Sequence, residues 1–340
     1  MKRNKEFYIL SIDGGGIRGV FPAYILDQIE KSLGISLLDK FQMFAGTSTG
    51  SIIATAIVCG VPLEKVLNLY KKYGPEIFPG KIKCLKFDAK YKLINLCLKY
   101  PIKFLSMLKS MFVNFYKKDC LTELLNELVG ETKLGEIKIP LLIPATNIGE
   151  GIVHVFKSPY HPDFIRDGRF TVKDAVLASC SAPIYFTPEK TQEYLLADGG
   201  LWANNPTLAA VMDAKRRLGV DIKNIRVLSI GTGHQKTSYG VNPDRMWGLM
   251  TGWKREAFVN FIFSLQSKTT ENYLGFLLDK SQILRINFDS DKDLPLDDSS
   301  EIDNLISRAD TEFAYRSAEI KKFFAITVEE KEEEKTNGNK

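Results

Sequence analysis

Histidine is scarce in this 340-residue chain, which carries only His154, His161 and His234. The scarcity narrows the chemistry at once, because histidine is the usual general base near neutral pH and the commonest metal ligand. The five cysteines, Cys59, Cys84, Cys97, Cys120 and Cys180, are odd in number and form no CxxC pair. Neither a disulfide framework nor a cysteine–histidine zinc site is indicated, and no metal or other cofactor is expected. The start, MKRNKEFYIL, has no apolar leader run, which together with unpaired thiols points to the cytoplasm. A charge-free run does extend from Phe41 to Leu63, about the length of a membrane span. A block of small polar residues, Gly46-Thr47-Ser48-Thr49-Gly50-Ser51, breaks it into a short strand and a separate helix.

What is present is the composition of a folded globular protein, 44% hydrophobic and 26% charged, so disorder is confined to the end. The β-branched and aromatic run Phe7–Ile12 leads into DGGGIRG and then an apolar-periodic helix over Val20–Leu33. The unit repeats as FQMFA, GTSTG and SIIATAIVCG. Further strands are expected at Pro140–Ala145, Ile152–Phe156, Glu193–Ala197, Ile225–Ile230 and Ile283–Phe288, with a helix capped by Asn205 and opened by Pro206, and a last helix over Glu301–Ala325. Strand–loop–helix units at the N-terminus imply an α/β fold with a mainly parallel sheet flanked by helices. The chain reads as one domain over residues 1–325, followed by a charged tail at 326–340 that is expected to be disordered.

One stretch differs in kind. Residues 81–118 carry ten lysines against the lone acid Asp88, a net +9 that leaves −4 for the rest of a chain whose total is +5. The lysines alternate with aromatic and aliphatic residues, a mixture suited to an anionic membrane surface or to a helical cover with its lysines in water. Binding to a nucleic-acid polymer is not expected, since the aromatics belong to no recognisable module.

Gly46-Thr47-Ser48-Thr49-Gly50 fits GxSxG between a strand and a helix, where the motif has a physical meaning. A sharp turn there exposes the Ser48 hydroxyl, Gly46 and Gly50 let strand and helix approach closely, and the helix N-terminus stabilises a developing oxyanion. A serine nucleophile needs a base. Ser48, Asp198 and His234 follow the chain order of an α/β-hydrolase triad, yet only two strands precede Ser48, fewer than that fold requires. His154 reads as a strand residue, and His161 and His234 as loop residues. The remaining candidate is Asp198 in Asp198-Gly199-Gly200, at the end of an apolar strand where α/β active sites form. Gly14, Gly15 and Gly16 offer unhindered amides for an oxyanion. The same loop satisfies GxGxxG at Gly14, Gly16 and Gly19, so a dinucleotide-binding oxidoreductase is a rival, although the acid expected after the second strand is missing.

Taken in order, DGGGIRG, GTSTG and DGG, with ASCSAPIYF at Ala178–Phe186 and NNP at Asn204–Pro206, resemble the patatin-like phospholipases from about Phe7 to Phe324. The resemblance implies a three-layer α/β/α fold and metal-free hydrolysis of acyl esters in membrane phospholipids. It implies a Ser48–Asp198 dyad without histidine, an oxyanion hole from Gly14, Gly15 and Gly16, and Arg18 in the basic position of the loop. FPAYILDQIEKSL and TKLGEIKIPLLIPATNI look most like bacterial members of antiviral defence that are switched on by a cyclic nucleotide. Such a protein would act at the inner membrane face. A catalytically silent protein of the same fold is the other alternative.

Overall fold

The structure, a computed structural model, describes residues 6–78, 118–191, 193–235, 239, 247, 248, 252, 253, 255–290 and 294–325. Of the basic insertion only Lys118 falls among them, and the 326–340 tail lies outside them.

Among the described residues there are ten strands: β1 (Phe7–Ile12), β2 (Met43–Gly46), β3 (Leu141–Asn147), β4 (Ile152–Lys157), β5 (Glu189–Lys190), β6 (Leu195–Asp198), β7 (Ile225–Ile230), β8 (His234–Gln235), β9 (Ile283–Ile286) and β10 (Asp289–Ser290). Eight form one sheet in the order β5-β6-β3-β2-β1-β7-β9, with β4 also paired to β3. The pairs β1–β2, β1–β7, β2–β3 and β7–β9 are parallel, while β3–β4, β3–β6 and β5–β6 are antiparallel. The sheet is mainly parallel, as expected, and the expected strands are all there, Phe7–Ile12 and Ile225–Ile230 with the expected bounds and the others with ends shifted by one or two residues.

Neighbouring strand residues point to opposite faces, and here they enter different cores. Leu10, Phe44 and Leu228 pack with the helix Val20–Leu33 and its neighbours, whereas Ile9, Met43 and Val227 pack with Ala210, Val211 and Leu274 from helices Thr207–Arg217 and Arg255–Leu277. Two separate apolar clusters on one sheet make the three layers. The helix Val20–Leu33 ends at Gly34, whose φ of 60° is the left-handed C-terminal cap that glycine adopts without strain. The expected cap at Asn205 is made by its side chain, which accepts the Thr207 N–H at 3.0 Å; the regular helix starts at Thr207, one residue after Pro206.

The register around β3 places the site. On one flank β4 pairs with Leu142 through Asn147. Leu142 also pairs with Ala45 of β2, and Ala145 also pairs with Asp198 of β6. β2 and β6 must therefore share the other flank, meeting end to end with their carboxyl ends facing. Ser48 follows one of those ends, and Asp198 is the other.

Candidate active site

Ser48 sits between β2 and the helix Thr49–Val58 with φ 52° and ψ −125°, a left-handed φ that a side chain adopts only when its surroundings compel it. The compulsion is visible. A Cβ on Gly46 would lie 2.2 Å from Gly50 O, and one on Gly50 would lie 2.3 Å from Ile12 O. No side chain fits at either glycine, so the strand and helix close tightly and the serine takes the strain. Ser48 is 6% exposed and forms part of the wall of an apolar pocket lined by Gly16, Asp198, Cys180, Tyr185, Phe186 and Phe263 among others.

Asp198 is wholly buried. Its Oδ1 accepts the Gly200 N–H at 2.6 Å, and its Oδ2 has no hydrogen-bond partner. Burial pushes the carboxyl up to about 7, against the lowering influence of the Gly200 N–H and of the nearby Ser48 hydroxyl. The hydroxyl is near enough to act on the carboxyl, although no formed bond reaches Oδ2. Gly199 is required next to it because a Cβ there would meet Pro144 O at 2.3 Å.

The glycine loop forms the third side, and its three amides are not equivalent. Gly14 N–H already donates to Asn204 O at 3.0 Å, and Gly14 packs against Ser48, whose Cβ would lie 3.2 Å from a side chain added there. Gly15 faces Thr232, and Gly16, with φ +58°, lines the pocket. Gly14 thus supports the serine, and Gly15 and Gly16 are left to offer donors. All the glycines of the loop stand against the protein itself: added Cβ atoms would meet Thr232 Oγ1 at 2.2 Å, Leu296 O at 2.1 Å and, at Gly19, Thr49 Oγ1 at 2.0 Å. Internal packing accounts for the GxGxxG spacing.

Arg18 is buried, not a surface residue. Its Nε donates to Gly15 O at 3.2 Å and its Nη1 to Leu294 O at 3.4 Å, and burial lowers its pKa to about 10 against the opposing influence of Tyr185 and Asp13. It orients the loop. The three histidines stand apart from the pocket. His154 is buried on β4 between the rings of Phe156 and Tyr194, with burial lowering its pKa to about 4; His161 lies beside Asp163; His234 opens β8, 3.5 Å from Asp289. Among the described residues no three metal-ligating side chains gather, and no helix is long and apolar enough to cross a membrane.

On the far side of the glycine loop lies a polar recess lined by Asp13, Arg18, Asn204, Thr232, His234 and Glu271 among others. Asp13 is gripped there by Arg285, which also bonds Glu271 and Ser229.

The sequence pattern of the family described as Patatin-like phospholipase matches residues 10–211. The chain belongs to that family. A cGAMP-activated phospholipase of Escherichia coli (strain TW11681) is 33% identical over 238 residues, covering 66% of this chain and 61% of the relative. One of Pseudomonas aeruginosa (strain BWHPSA011 / Pa011) is 30% identical over 273 residues, covering 79% and 74%. A cUMP-AMP-activated phospholipase of Escherichia coli is 29% identical over 236 residues, covering 66% and 64%. Membership in the patatin-like family removes the oxidoreductase alternative. It also gives ASCSAPIYF a place: Cys180, Ala182, Tyr185 and Phe186 wall the pocket, and Ser179 and Ser181 bond the two candidate residues' backbones. The sequence alone gives that block no role, because its small residues act through backbone and hydroxyl contacts that only the fold supplies.

Proposed function

We propose that this chain is a lipid acyl hydrolase that cleaves carboxylic esters of membrane phospholipids through an acyl-enzyme on Ser48. The observation that carries the proposal is the shared pocket: a strained serine, a buried carboxyl without a cation and a glycine amide loop face one apolar cavity. The apolar walls suit an acyl chain. Ser48 Oγ attacks the ester carbonyl while Asp198 accepts its proton, and the amides of Gly15 and Gly16, with the N-terminus of the helix Thr49–Val58, take the charge on the oxyanion. Collapse expels the alcohol, which takes the proton back from Asp198. Asp198 then deprotonates a water that attacks the acyl carbonyl, and passes that proton to Ser48 Oγ as the fatty acid leaves. A carboxyl titrating near neutrality is well matched to both proton transfers.

Cyclic-nucleotide activation, named for the relatives, extends to this chain as the second part of the proposal. The test is release of fatty acid from phospholipid vesicles by the purified protein, with and without cGAMP and cUMP-AMP, together with turnover of a soluble p-nitrophenyl ester. Fatty acid release that requires Ser48 supports the hydrolase, and its dependence on one nucleotide supports the switch. No turnover of either substrate under any of these conditions favours a catalytically silent member of the fold.

A further inference from the structure

β2 leaves β3 after Leu142 and β6 joins it at Ala145, so Ile143 and Pro144 face a break in that flank of the ladder. Ser179, the last residue of the helix Val172–Ser179, fills the break. Its hydroxyl accepts the Ser48 N–H at 2.9 Å and donates to Pro144 O at 2.6 Å, and the residue is fully buried. A hydroxyl has one proton to give and lone pairs to receive, and this one uses both functions to splice the Ser48 amide onto the strand that β2 has left.

The splice matters because Ser48 is strained. Its carbonyl is held by the Ser51 N–H at 2.8 Å and the Ser51 hydroxyl at 2.6 Å, and the preceding Thr47 is tied to Ile12 O and Ala203 O. Among the described residues, Ser179 is what holds the amide. Two residues on, Ser181 O accepts the Asp198 N–H at 3.0 Å. One short segment therefore sets the backbone of both dyad members.

We infer that Ser179 is a positioning residue for the nucleophile: its hydroxyl holds the Ser48 amide to β3 across the break and so keeps the Ser48 hydroxyl turned toward Asp198. The inference rests on the dyad reading given above. It is tested on the full chain with Ser179→Ala and Ser179→Thr. The readouts are kcat and KM on a soluble p-nitrophenyl ester, the rate of Ser48 phosphonylation by a fluorophosphonate, hydrogen exchange of the Ser48 amide, and the melting temperature. In Ser179→Ala, kcat and phosphonylation should each fall about ten- to a hundred-fold, the scale of one lost bond to a buried donor, with KM within about two-fold. The Ser48 amide should exchange faster while those of Gly50 and Ser51 keep their protection, and Ser179→Thr should recover most of the lost rate. Wild-type kcat and labelling in Ser179→Ala overturn the inference. So does a loss that tracks melting and that threonine fails to relieve, since a merely structural serine would behave that way. All assays are run with and without cGAMP and cUMP-AMP; a wild-type protein that neither turns over nor labels under any of these conditions removes the nucleophile itself, and that failure is distinguishable because it precedes any change at Ser179.

Discussion

Asp13 and Asp198 are the same side chain in nearly the same setting. Each stands at the end of a strand, each is buried, and burial pushes both carboxyls upward. They differ in company. Asp13 receives both arms of the Arg285 guanidinium, at 2.9 and 2.6 Å, across 272 positions of sequence. Asp198 receives a backbone N–H and no cation. A carboxyl matched to a guanidinium is neutralised and holds parts together; one left with a single amide keeps a free oxygen and a proton affinity suited to chemistry. The glycine loop separates these two environments, architecture behind it and reactivity in front.

The sharpest way to break the comparison is to delete each partner. Ser48→Ala and Asp198→Ala should each lower ester turnover by about 10⁴-fold or more, and the double variant should be no worse, because nucleophile and base act as one unit. Steady-state rates that multiply instead of saturating would separate them. Arg285→Met should be the largest purely structural lesion. It strands the buried Asp13 without its guanidinium and leaves Glu271 only the looser pair with Lys268 at 3.6 Å, at a cost of about 3–5 kcal/mol in urea unfolding, and adding Asp13→Leu should return part of it.

Asp198→Asn sharpens the contrast through pH. The folded pKa, about 7, lies above the ordinary 3.8, so between those values the folded state binds the extra proton and this group's contribution to stability declines as pH rises. Above pH 7 the wild type carries the full cost of a buried charge, which asparagine lacks. The variant should therefore be the more stable by on the order of 2–4 kcal/mol at pH 8, with the gap closing toward pH 4, in melts followed across that range. The same titration sets the acid limb of kcat/KM, which should rise with pH through a midpoint near 7. Least of all, His234→Ala should change turnover by less than about two-fold, since its ring faces Asp289 beyond the loop.

Much of this was legible before any coordinates, for local reasons. Phe7–Ile12 and Ile225–Ile230 carry unbroken β-branched runs and appear as strands with those bounds. GTSTG and DGG announce tight turns after strands because nothing larger than glycine fits where backbones touch. The two-residue strands β5, β8 and β10 left no such trace: each is too short to show an alternation, β8 and β10 are paired only by the fold, and β5 is the first arm of a hairpin with β6. The sequence makes the glycine trio three equal donors, whereas Asn204 O, 190 positions away, claims the first amide. Arg18 and Ser179 were likewise unreadable in their roles: a lone arginine or serine reveals nothing until the fold supplies the carbonyls of Gly15 or Pro144.

Because the two strands bearing the candidate residues run toward each other along one neighbour, the spacing of the reactive groups is a matter of length. One residue inserted in either strand would advance its tip by about 3.3 Å and turn the next side chain to the opposite face. Substitutions around the cavity can retune which acyl chain is accepted, but insertions and deletions in β2 or β6 would misalign the chemistry outright, leaving the connecting loops as the places where such proteins can grow.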